Sequence, residues 1–238
     1  MISAPIGSYI GAKMGLNYPM IFSSIFIIFA MFAIQKMKDT THYLKQNEDK
    51  KYYDIFKSGI NFIKQNSMVK KLSLNGILVA SAGYFVIWLY QPLLLKIGVP
   101  ISLLGYWHAF LVVVQIFISS NFVFIEKIFG FKRYLKISAI LVAIGFFVAA
   151  ITSNIAAAIV FLVLAGGFGL TRFELIYAQL NKYLPSENRS TILSAIKLFH
   201  TLFLVLINPL IGLMADQNLS FAFIFIALIS LSSLLVKE

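Results

Sequence analysis

In a chain dominated by apolar stretches, chemistry can begin only at the few ionisable side chains those stretches contain. Lys197 and His200 are three residues apart, so on a helix they share one face and one environment. Such a pair can carry a proton; the alternative is that Lys197 snorkels to the headgroups while His200 bonds a carbonyl. Arg172 and Glu174 stand two apart and point in different directions. Near the end of a span they suit interfacial or gate ion pairing better than a shared midplane site. Uncharged polar residues add a fainter line: Asn75, Tyr84, Trp88 and Gln91 on one apolar stretch, Gln115 and Asn121 on the next, and Asn208 on the stretch carrying Lys197. Together with aromatics they can line a path for an amphipathic or aromatic solute, or they can simply bond a neighbouring helix. His108 beside Trp107 reads as a structural residue of an aromatic belt.

Other chemistries lack their residues. With no Cys there is no disulfide, thiolate metal site or Cys nucleophile. His42, His108 and His200 lie far apart with no His-Glu-x-x-His spacing, so no metal site is expected. The nine acids are scattered, with no Asp-x-x-Asp group beside an apolar stretch to hold a metal-pyrophosphate. No Gly-rich nucleotide loop is present, and no cofactor is expected. The sequence therefore does not read as an enzyme; an embedded enzyme and a seven-helix receptor remain as alternatives with less support.

The elements that must hold these residues are membrane helices. An apolar helix needs roughly 20 residues to cross the hydrocarbon core. Asn17–Gln35 and the stretches 72–93, 102–125, 134–151, 156–173, 190–214 and 220–236 meet or approach that length. The expected fold is all-α, a polytopic transmembrane bundle of about seven full spans and one partial span. Mean hydropathy of +0.87, 60% hydrophobic residues and only 12% charged residues fit a core solvated by lipid. Threading the spans back and forth puts 18 of the 20 Lys and Arg on one side, leaving Lys13 and Lys96 on the other. The positive-inside rule makes the crowded side cytoplasmic, in a cell (inner or plasma) membrane. The net charge of +11 is thereby explained without nucleic acid, since the cations occupy short loops rather than a groove with stacking aromatics.

The N-terminus is unusual. Residues 1–12 are apolar and rich in small residues, yet reach only about 18 Å as helix, the outer part of a span. No positive n-region or cleavage site marks a secretory signal, and the chain is expected to start partway through a larger design. Residues 37–71 form the one long polar connector, expected to be cytoplasmic. Its second half, 52–69, alternates Ile55, Phe56, Ile60, Phe62, Ile63 and Val69 with Lys57 and Lys64 at mostly helical spacing, as an interfacial helix would. Gly7 and Gly11, and Gly166, Gly167 and Gly169, suit close helix packing, with a bent helix lining a path as the alternative.

This order of elements resembles the second half of a major facilitator superfamily transporter, preceded by its fifth and sixth helices. Pro185, Glu187, Arg189, Thr191 and Ser194 are similar to the connection between that family's tenth and eleventh helices, followed by Asn208, Pro209, Gly212 and Asp216. Glu126, Lys127, Gly130, Lys132 and Arg133 resemble its acidic-basic-glycine-basic signature between the eighth and ninth helices; Ala4, Pro5 and Gly7 are similar to the Gly-Pro motif of its antiporter branch. Physically, Gly130 permits a tight reversal at the membrane surface, while Lys132 and Arg133 reach phosphates or a helix C-terminus. Pro185 stops one span and Ser190 or Thr191 caps the next.

The resemblance implies alternating-access transport of a small solute, with proton coupling through His200, Lys197 or Glu174. It implies 1–36 as a partial fifth and full sixth helix, 37–71 as linker and 72–238 as a six-helix half, with linker and C-terminus cytoplasmic. Glu126, Gly130, Lys132, Arg133, Arg172, Glu187 and Arg189 become gate candidates. Asn75, Trp88, Gln91 and Gln115 become pathway candidates. The expected partners are solute, protons, lipid, and either the missing N-terminal half or a second copy. A non-transporting fragment or membrane assembly subunit is the alternative.

Overall fold

The computed structural model describes residues 2–36, 52–186 and 189–236, and all regular structure among them is helical. In chain order the helices are α1 (Ser3–Met14), α2 (Asn17–Gln35), α3 (Tyr52–Gln65), α4 (Ser67–Lys96), α5 (Leu104–Ser120), α6 (Phe122–Phe129), α7 (Phe131–Ile151), α8 (Ile155–Val160), α9 (Phe168–Leu170), α10 (Arg172–Leu180), α11 (Arg189–Gln217) and α12 (Leu219–Ser232). A π-helical segment, Phe161–Gly167, joins α8 to α9. Residues 37–51 of the connector, Glu187 and His42 lie outside the described residues.

Among the described residues, six helical stretches are long and apolar enough to cross a membrane, the mark of a multi-pass membrane protein. They are α2, α4, Ile101–Ser120, α7, Ile155–Leu180 and α11. Where the sequence suggests a seventh, the apolar helix Leu219–Leu235 is shorter. Local signals set the boundaries. Asn66, Asn154 and Asn218 cap α4, α8 and α12 by accepting from the amides of Val69, Ala157 and Ser220. Gly130, at φ 74°, makes the joint between α6 and α7 in a backbone region that other residues rarely adopt.

Three expected stretches differ in detail. The stretch 102–125 divides at Asn121, and α6 continues as a separate short helix. The stretch 156–173 runs on to Leu180, so Arg172 lies well inside a 26-residue helical span. The connector helix ends at Gln65, because Asn66 turns extended and starts α4; Val69 therefore packs in the bundle rather than along a leaflet. Within α3, Gly59 and Ile63 are buried while Lys57 and Lys64 are exposed. A Cβ at Gly59 would meet the Thr191 methyl at 3.1 Å, which places α3 against the first turn of α11.

At the centre stands α4, with 72% of its most apolar window buried against 17% for α11, so α11 is a rim helix with an open face. The rings of Phe146, Phe161 and Phe223 meet at centroid distances of 5.1, 5.3 and 6.0 Å and tie α7, the π-segment and α12 together. Glycines permit close crossings: a Cβ at Gly83 would fall 2.3 Å from the Gly169 carbonyl carbon. Gly166 and Gly167 admit Leu111 and Ile118 of α5. Gly166, Gly167 and Gly169 therefore serve close packing, whereas Gly7 meets nothing within 4 Å. At the other edge α1 lies on the start of α5, where the Ser8 hydroxyl donates to the Ser102 carbonyl at 3.0 Å. No residue of α2 is buried.

Candidate functional site

Two polar clusters flank α10. The first is built on Arg172, which is 1% exposed, although its place in the sequence suggests an interfacial residue. The span's continuation to Leu180 carries the guanidinium inside the bundle. Its Nη1 donates to Ser138 Oγ at 2.5 Å, and its Nη2 donates to the Leu135 carbonyl at 3.0 Å and to Asn75 Oδ1. Asn75 in turn donates to the Ser233 carbonyl at 3.4 Å, so it is 3% exposed and bonded inward rather than facing an open path. One side chain thus links α10 to α4 and α7, and through Asn75 to the turn after α12. A buried cation is tolerated when such groups surround it.

The second cluster lies on the other side of α10. Lys197 Nζ is 3.4 Å from His200 Nδ1, as their spacing suggests. A protonated Lys197 donates to Nδ1, leaving the ring proton on Nε2. Lys197 is exposed and stands 5.2 Å from the Phe173 ring centroid; His200 is 4% exposed and meets the same ring edge-on at 4.7 Å. His200 thus bonds Lys197 rather than a carbonyl, and the ammonium covers an aromatic face. Tyr177 extends the aromatic surface, 5.2 Å from Phe173. Neither His200 Nε2 nor the Tyr177 hydroxyl has a hydrogen-bond partner among the described residues. Both atoms are buried.

Glu174 points away from Arg172, as two-residue spacing requires, and accepts from Ser119 of α5 at 2.5 Å. Farther along the bundle, Tyr84, Trp88 and Asn208 line a cavity of about 270 Å3 between α4 and α11, with Trp88 62% exposed. Gln115 bonds the Leu111 carbonyl of its own helix. Gln91 donates to the Tyr90 hydroxyl at 3.0 Å, and that hydroxyl lies 3.5 Å from His108 Nδ1; this group faces α1 instead of the Tyr84–Asn208 cavity.

Among the remaining candidates, Glu126 forms an ion pair with Lys182 at 3.8 Å. Arg189 donates to the Leu184 carbonyl at 3.4 Å, while Lys132 and Arg133 are exposed just beyond Gly130. Sequence reasoning passed over Phe173, Tyr177, Ser119, Ser138, Tyr90 and Lys182. Phe173 and Tyr177 carried a usable signal, an i, i+4 aromatic pair interleaved with Arg172 and Glu174. Ser138 carried none, because one hydroxyl in an apolar helix is common. No family model, curated protein or solved structure matches this chain.

Proposed function

We propose that this chain forms one wall of a secondary transporter of the major facilitator type, moving a small solute by alternating access with proton coupling. The observation that carries the reading is Lys197, an exposed cation within an apolar 29-residue helix, bonded to buried His200. An ionised side chain at membrane depth costs several kcal/mol unless it faces protein or water, so this face of α11 is not a lipid face. The cavity at Tyr84, Trp88 and Asn208 continues it along the same helix.

Lys197 and His200 hold and pass the proton; Glu174 is a second acceptor on the same wall. The opposing wall comes from a second copy or from a half of the resembled family's kind. The protein sits in a cell membrane with its basic face, connector and C-terminus cytoplasmic. A second reading, a non-transporting assembly subunit, is favoured by α2, whose uniformly exposed apolar surface suits a partner helix.

Cysteine accessibility tests the path, because the chain has no native Cys. Thr201→Cys and Asn208→Cys, on exposed positions of α11, should react with a hydrophilic thiol reagent from both faces of the membrane. Ile144→Cys and Leu228→Cys, exposed on α7 and α12, should be protected by lipid. Silence at Thr201→Cys equal to that at Ile144→Cys would overturn the aqueous path; reactivity from one face only would overturn alternating access.

A further inference from the structure

The first turns of α4 and α7 enclose a cavity of about 290 Å3 on the basic face, lined by none of the residues of the Lys197 cluster. Met68, Leu72 and Phe131 make its walls apolar, and Lys71 and Lys132 line it from two helices far apart in sequence. Lys71 is half-buried and Lys132 exposed. No carboxylate lines the cavity, and neither lysine forms an ion pair among the described residues. The acid of the adjoining helix, Glu126, is engaged with Lys182. Gly130 contributes no side-chain cap, so the opening amides of α7 add positive potential at the same end.

We infer that this cleft binds the anionic headgroup of a phospholipid, with its phosphate between Lys71 and Lys132 and its acyl chains along Met68, Leu72 and Phe131. Two cations brought together without an acid repel each other, and a bound phosphodiester reverses the sign of that interaction. Lysine supplies point-charge donors suited to a phosphate. The apolar walls select against a free inorganic anion, which would dehydrate beside them to no gain. The position is that of lipid headgroups, where α4 and α7 leave their apolar stretches; basic pockets between membrane helices at this depth suit anionic lipid.

A site differs from diffuse attraction in weighting particular lysines. The full-length protein, purified in a neutral detergent, is titrated with phosphatidylglycerol or phosphatidylcholine, and binding is read by native mass spectrometry and by the thermal midpoint. Phosphatidylglycerol should bind and raise the midpoint, and phosphatidylcholine should do neither. Lys71→Gln and Lys132→Gln should each weaken phosphatidylglycerol binding about fivefold, the factor for one cation near a membrane surface. Lys70→Gln and Lys136→Gln, the same charge change at neighbouring exposed positions, should change it less than twofold. Because Lys132 is exposed, its variant remains decisive if Lys71→Gln fails to fold. Equal effects at all four lysines would overturn the site, as would equal binding of phosphatidylcholine. Displacement of the lipid by inorganic phosphate at similar concentration would overturn the lipid assignment.

Discussion

Replacing Gly83 by Ala should loosen the bundle where α4 crosses the Gly169 backbone. The new Cβ would stand 2.3 Å from the Gly169 carbonyl carbon and 2.6 Å from the Leu170 amide nitrogen. Both are backbone atoms with no rotamer to escape into, and the shortfall from van der Waals contact is about 1 Å. The helices must therefore separate, and overpacking of this kind costs about 1–3 kcal/mol. Alanine returns about 1 kcal/mol of helix propensity, so the net cost is up to about 2 kcal/mol. For a chain of this size that lowers the thermal midpoint by up to about 8 °C. Gly212→Ala is the internal control: it meets nothing within 4 Å, so propensity alone acts and the midpoint should hold or rise. Melting of the detergent-solubilised protein, followed by the loss of its monodisperse chromatographic peak, measures both. A midpoint for Gly83→Ala matching that of Gly212→Ala would refute the close crossing. The same separation displaces the start of α10, so Gly83→Ala should also change the reactivity of Thr201→Cys beside the Lys197 cluster.

Arg172→Met removes donors to Ser138, Leu135 and Asn75, each worth about 0.6–1.7 kcal/mol between membrane helices. Its midpoint should fall, and an unchanged one would show that the guanidinium does not hold α10 to α4 and α7. Gly130→Ala and Gly130→Asn each force a Cβ into φ 74°, ψ 147°, a region essentially confined to glycine, and each should cost about 1–3 kcal/mol; parental stability in either variant would contradict that joint. Single cysteines at Ser67 and Ser186 should be shielded from a membrane-impermeant maleimide in intact cells, and those at Asn154 and Asn218 labelled. The reverse pattern would invert the proposed orientation. In a reconstituted transporter, Lys197→Met or His200→Gln should reduce solute-dependent proton movement without lowering membrane abundance. Full activity with both replaced would remove the pair from the mechanism.

Helix positions were legible because lipid solvation leaves a plain mark: about 20 apolar residues between polar turns. α2 and the end of α7 at Ile151 coincide with the hydropathy boundaries. Depth was legible only where composition changed at the boundary. Arg172 looked terminal because a charged and polar sequence follows it, yet Leu175, Ile176 and Leu180 keep a buried face for two more turns. An amphipathic extension of this kind dilutes the hydropathy signal while the helix continues. Asn75 shows the complementary ambiguity. A lone amide in an apolar span must either face water or find a partner, and the partner here was an arginine 97 positions away that spacing could not identify.

Lys197 and His200 were legible as a pair because an i, i+3 relation is local and needs no tertiary information. What the sequence could not supply was the environment that separates their roles. Phe173 approaches from a different helix and covers the imidazole, while the ammonium beside it stays exposed. One member of the pair is thus held in protein and the other on the open rim of α11. The broken span opposite sets this geometry: Gly166 and Gly167 in its π-segment draw α5 close, and Gly169 lets it cross α4 at backbone contact. Its next turn then aims Arg172 into the bundle and Phe173 at His200. Small residues and a helical irregularity, rather than further polar groups, place the two charges of this region in separate environments.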